Sequence, residues 1–131
     1  MKKPAVKLTE TYFNKEDGLS IVTISTPLGH FSGHAICNKD DGDEFNEFIG
    51  GSFAEARAWV KFYKQAMFLY RGLIKELNAI YCCSNKSEKT CKLVKEQLDF
   101  YTDCYEYFKN ELAKTQKEIA DRNQYLDNKD K

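Results

Sequence analysis

Gly50-Gly51-Ser52-Phe53-Ala54-Glu55-Ala56-Arg57 decides the fold, because strand-like alternation precedes it and helical periodicity follows it. Ser52 and Glu55 have the spacing of a capping box, in which the two side chains satisfy backbone N–H groups of the first helical turn. Gly50 and Gly51 give the backbone access to positive φ and let a ligand approach the main chain. A helix start presents outward N–H groups and a partial positive charge, which suit a phosphate or carboxylate. Arg57 adds a planar two-point donor one turn further in. The stretch has two readings: an anion site, or an ordinary flexible lead-in to a helix.

Residues 52–81 hold no Pro and only one Gly, Gly72. Ala56, Trp59, Tyr63, Ala66, Tyr70, Leu73, Leu77 and Ile80 recur at steps of three and four, the period of a helix. Ala58, Phe62 and Leu69 widen that apolar arc, so a narrow face is left to solvent. On that face Arg57, Lys61, Lys64, Arg71 and Lys75 outnumber Glu55 and Glu76, a local charge of +3 in a chain whose 20 basic and 20 acidic residues cancel. Such a stripe is commonly a solvated, snorkelling surface. Its crowding toward the Gly-Gly-Ser end favours an anionic partner.

A polar break at 82–87, with Asn85 or Ser87 as a cap, leads to a second helix over 87–125. Its seam is Val94, Leu98, Tyr101, Tyr105, Phe108, Leu112, Thr115 and Ile119. The spacing predicts an antiparallel hairpin in which residue i faces roughly residue 169 − i. That register brings Lys109, Arg122 and Asn123 toward the end that carries Arg57. Residues 126–131 read as a disordered tail.

Before the glycines, residues 1–38 read as an antiparallel meander. Val6 to Phe13, Leu19 to Thr26 and His30 to Cys37 are the strands, turned at Asn14–Gly18 and Pro27-Leu28-Gly29. Val22, Ile24 and Thr26 form the face that packs on the helices, and Phe31, Gly33, Ala35 and Cys37 share one face of the third strand. Gly33, inside a strand pattern, marks a bulge or a place where a ligand meets the backbone. His30 and His34 share a strand face but lie about 13 Å apart, too far for one metal ion. Asn38 to Glu44 lacks the spacing of a calcium loop and reads as a solvated acidic turn, with Glu44 to Ile49 a short helical turn into the glycines.

The expected class is therefore α+β: a small N-terminal antiparallel sheet, then a long two-helix hairpin, in one domain over 1–131. So large an aromatic surface beside so small a sheet predicts a homo-oligomer, a dimer or higher. Five cysteines without CxxC spacing read as structural thiols, and no metal or cofactor is expected. No apolar run approaches a membrane span and no apolar signal region follows Met1-Lys2-Lys3, so a soluble cytosolic protein is expected. The neutral balance argues against extended nucleic acid as partner.

No P-loop, dinucleotide fingerprint, His-x-x-Glu-His or hydrolase elbow occurs, so the expectation is not an enzyme. Cations, a helix start and aromatic faces suit a small phosphorylated nucleotide. The candidate ligand-binding residues are Phe31, Gly33, Gly51, Ser52, Phe53, Arg57, Lys61, Lys109, Arg122 and Asn123, with Phe31, Phe53, Trp59 and Tyr101 as candidate stacking rings.

The order of Gly29-His30-Phe31-Ser32-Gly33-His34-Ala35, an acidic turn, Gly-Gly-Ser-Phe-Ala-Glu-Ala-Arg-Ala and two long helices resembles the first-described family of phage Thoeris anti-defence proteins, over residues 19–125. The resemblance implies an oligomeric sponge in the bacterial host cytoplasm. Such a sponge binds cyclic ADP-ribose isomers, and in some members cyclic oligonucleotides, without cleaving them. It implies Arg57 as the first phosphate ligand; Lys109 stands where an arginine would serve better. The competing expectation is a helical protein-interaction module that blocks a host protein or serves a structural phage role.

Overall fold

Three strands come first in the computed structural model, which describes residues 8–37, 46–81 and 87–129. They are β1 (Leu8–Asn14), β2 (Leu19–Thr26) and β3 (Gly29–Ile36), and they form one antiparallel sheet in the order β1-β2-β3. Tyr12 pairs with Ile21, and Ile21 with His34. The β1–β2 turn is closed by Asn14 Oδ1, which accepts from Asp17 N at 3.2 Å, and by Gly18 at φ 68. A side chain at Gly18 would meet the Cys37 carbonyl oxygen at 2.7 Å, so position and conformation both select glycine there. Ser20, Val22 and Ile24 are buried on one face of β2 while Gly33 and Ala35 are buried on the same face of β3. The meander and the inward face of β2 are those the alternation predicts. Val6, Lys7, the acidic turn Asn38–Glu44 and the Cys82-Cys83 pair lie outside the described residues.

Helix α1 spans Glu47–Tyr81, five residues earlier than its expected start. Asn46 is its cap: its Oδ1 accepts from Ile49 N at 3.1 Å, and its carbonyl accepts from Gly50 N at 2.9 Å. Ser52 is therefore a second-turn residue and not a cap, and Gly50 and Gly51 are helical with no positive φ. The glycines do not break the helix because each costs only about 1 kcal/mol against alanine in a helix. At Gly50 the missing Cβ is used in packing, since one placed there would collide with Ser20 Oγ. That hydroxyl is fully buried and makes no hydrogen bond.

One side of α1 rests on β2 and β3 and another on α2, so the helix forms the middle layer. The closest approach is at Gly33, where a Cβ would run into the Ala54 carbonyl oxygen and lie 2.5 Å from Ala58 N. Ala54 and Ala58, both 0% exposed, present the small surface that permits this contact. Around it pack Val22, Ile24, Phe53, Trp59, Phe62 and Tyr63.

Helix α2 spans Glu88–Lys129 and starts as expected, with Ser87 Oγ accepting from Thr90 N at 3.1 Å. It runs past Tyr125 to Lys129 where a disordered tail was expected, since neither Pro nor Gly interrupts 88–129. Tyr63 meets Phe108 at 6.2 Å and Tyr70 meets Tyr101 at 5.8 Å between ring centroids. The helices are thus antiparallel, with residue i facing roughly residue 171 − i. The apolar arc of α1 is only half used: its buried residues run from Phe53 to Ala66 and stop there. A 35-residue helix is about 52 Å long, whereas an eight-residue strand spans about 26 Å, so the far half of the hairpin overhangs the sheet. Phe68, Leu69, Leu93 and Phe100 are exposed on that overhang.

Candidate functional site: a cationic groove at the sheet edge

β3 is an outer strand, and its outer edge is where α1 directs its cations. Arg57 Nη1 donates to the His34 carbonyl at 2.7 Å, and Lys61 Nζ donates to the Ser32 carbonyl at 2.6 Å. Both cations arise from the one-turn spacing of the basic stripe, and both cap edge carbonyls that have no strand beside them. The Arg57 guanidinium also lies over the Phe53 ring, 5.8 Å from its centre, within cation–π range. One of its five N–H donors is placed on His34, and the fork keeps the capacity to grip an oxyanion.

Gly33, His34, Arg57, Val60, Lys61 and Lys64 line a groove of about 250 Å³ along this edge. Its walls carry three cations and no carboxylate, and Gly33 and Val60 make its floor apolar. A second cleft of about 240 Å³ lies between the helices, lined by Ser52, Glu55, Ala56, Trp59, Tyr63, Thr115, Glu118 and Arg122. There two carboxylates outweigh one arginine. Burial pushes the Tyr63 phenol well above its usual range, with Glu111 adding to the effect, so the ring stays a neutral wall of that cleft. The first site suits a phosphate and the second does not.

The predicted site residues thus fall into two groups. Gly33, Arg57 and Lys61 meet in the cationic groove. Ser52 and Arg122 meet in the cleft, so Arg122 reaches the second turn of α1, near where the hairpin register put it. Arg57 and Arg122 do not converge within one chain: Arg57 turns to the sheet edge and Arg122 to the helix–helix cleft. Gly51 is helical and faces the Phe13 ring, and it offers no open loop to a ligand. The close approach at Gly33 is made by α1 itself. Lys109 and Asn123 are exposed on α2 and line neither site.

The candidate stacking rings are occupied as well. Phe31 meets Phe62 edge-on at 5.7 Å, Phe53 is buried, Trp59 stacks on Tyr63 at 5.6 Å, and Tyr101 packs on Tyr70. His34, Val60 and Lys64 complete the groove and were not singled out as ligands. Lys64 was visible within the basic stripe, but no local signal marks His34 as an edge residue. His30 and His34 are solvent-facing, and His30 Nδ1 shares a hydrogen bond of 2.7 Å with Ser25 Oγ. Among the described residues no group of three or more His, Cys, Asp or Glu is placed to hold a metal ion. Nor, among them, is any helix long and apolar enough to cross a membrane.

Fold and groove together define the class: an α+β chain whose three-strand meander rides on a long helical hairpin, with cations gathered along the outer sheet edge. Comparison with known protein families, with characterised proteins and with solved structures finds no match to this chain.

Proposed function

We propose that the protein is a non-catalytic binder of a small phosphate-bearing nucleotide, with the groove of Arg57, Lys61 and Lys64 as its anion seat. The observation that carries this reading is that three cations and no carboxylate line one concave site. The resemblance to Thoeris anti-defence sponges supplies the ligand class, a cyclic ADP-ribose isomer or a cyclic oligonucleotide, and the role, stoichiometric capture in the cytoplasm of a bacterial host. Capture needs only tight, enclosing binding, so the lack of an acid–base pair in the groove is no obstacle.

A panel of cyclic ADP-ribose isomers, cyclic dinucleotides and cyclic trinucleotides tests it by thermal melting. A true ligand raises the melting temperature according to RT ln(1 + [L]/Kd). Lys64→Ala, which removes no hydrogen bond from the sheet edge, reduces the shift, and Arg57→Ala abolishes it. The ligand recovered after denaturing the protein is chemically intact. A ligand recovered in altered form would make the protein an enzyme, and a panel without any shift would end the proposal.

A second reading rests on the overhang. Leu69, Leu93 and Phe100 expose apolar surface on the far half of the hairpin, which suits a second copy of this chain or another helical partner. Sedimentation across a concentration series, with Leu93→Glu and Phe100→Glu as controls, tests self-association. A monomer at every concentration, with capture of a host protein, would favour the interaction module.

A further inference from the structure

Phe68 is 73% exposed, in the middle of the basic stripe of α1. Its neighbours on the helix surface, three, four and seven residues away in each direction, are Gln65, Lys64, Lys61, Arg71, Gly72 and Lys75. Four are cations and none is a carboxylate. The rings of Phe53, Trp59, Phe62, Tyr63 and Tyr70 on the same helix are each engaged by another ring or by Arg57. Among the described residues Phe68 makes no such contact.

Gly72 sharpens the point. It sits inside a helix, where glycine costs about 1 kcal/mol against alanine, and nothing lies within 4 Å of where its Cβ would be. No packing contact requires glycine there. Helical side chains lean toward the N-terminus, so a side chain at 72 would lie over residue 68. Glycine leaves the face of Phe68 bare. A bare ring among cations is the arrangement that stacks a nucleobase while the phosphates are held alongside. Lys61 and Lys64 belong both to this ring of cations and to the groove at the sheet edge, so the two are continuous.

We propose that Phe68 is the base-stacking platform of the groove, kept open by Gly72, so that the ligand is a nucleotide whose base lies one helical turn from its phosphates. This rests on the reading of the groove as an anion seat. An acidic protein segment could also satisfy the cations and cover the ring, and the poly-glutamate arm of the test separates the two.

The probes are ADP, inorganic pyrophosphate and a poly-glutamate peptide, titrated by calorimetry against the full chain. The native protein is expected to bind ADP roughly 5- to 150-fold more tightly than pyrophosphate, the contribution of one stacked base. Phe68→Ala removes that preference and leaves pyrophosphate binding unchanged. Gly72→Leu also removes it, and raises the melting temperature instead of lowering it; a purely structural role for the glycine does not produce that pair. Arg57→Ala weakens ADP and pyrophosphate alike. If Phe68→Ala keeps the ADP preference, the stacking role is overturned and the anion seat stands. If neither ADP nor pyrophosphate binds, both fall. If poly-glutamate binds and ADP shows no advantage over pyrophosphate, the face is an acidic-protein dock and the stacking proposal is overturned.

Discussion

Two glycines where helix and sheet meet, Gly33 of β3 and Gly51 of α1, have opposite energetic meanings. At Gly33 a Cβ would run into the backbone of α1 at Ala54 and Ala58, and backbone cannot rotate aside as a side chain can. Gly33→Ala is expected to cost about 1–3 kcal/mol or more, through forced separation of helix and sheet. At Gly51 a Cβ would stand 3.5 Å from the Phe13 ring, ordinary contact distance, in a helical backbone. Gly51→Ala is expected to stabilise the protein by up to about 1 kcal/mol. Urea unfolding of the two variants checks both signs at once. This pair also marks the limit of reading residues locally. Gly33 inside a strand announces a close approach to the backbone, but only the folded helix reveals that the visitor is Ala54 and not a ligand. Arg57 was legible as a cation that contacts something; that its first partner is the His34 carbonyl depends on β3 being an outer strand.

The start of α1 gives the corresponding lesson for elements. Ser52 and Glu55 have the spacing of a capping box, yet the helix passes through them because Asn46 caps it a turn and a half earlier. Asn46→Ala is expected to destabilise by about 0.5–2 kcal/mol, whereas Ser52→Ala stays within about 0.5 kcal/mol. Helical content by circular dichroism with urea unfolding distinguishes the two starts: a larger loss at Ser52 would restore the later one. Both helices, their antiparallel register and all three strands were legible, because a seam such as Val94-Leu98-Tyr101-Tyr105-Phe108 repeats often enough to outvote any single residue. Helix ends were less so. Nothing in the glycine pair says whether the helix will accept its cost, and the use of the missing Cβ shows only once Ser20 is found lying under Gly50. The half-used arc of α1 was also invisible locally, since Phe62 and Leu69 share one stripe and look alike until the first is found buried and the second exposed.

Across the whole molecule, the aromatic seam that joins the helices sets how stability responds to pH. Burial raises the pKa values of Tyr63, Tyr70, Tyr107 and the Cys104 thiol, and all four hold the protonated form. Glu111 pushes further on Tyr63 and Tyr107, and Cys104 across the helix pair pushes further on Tyr70. In the unfolded chain the thiol loses its proton near pH 8.5 and the phenols near pH 10. Above those values the unfolded state binds fewer protons than the folded one, so unfolding becomes easier as pH rises. The contribution is complete below about pH 8.5 and is lost progressively as pH climbs through the folded-state values, each group adding at most about 1.4 kcal/mol per pH unit to the slope. Urea unfolding at pH 7.5, 9 and 10.5 is expected to show little change over the first step and a marked loss over the second. Cys104→Ala should remove only the earlier part of that loss, because the phenols titrate later. A midpoint that stays level to pH 10.5 would mean that the seam opens to water far more than the packing of Tyr63 and Tyr70 on Phe108 allows.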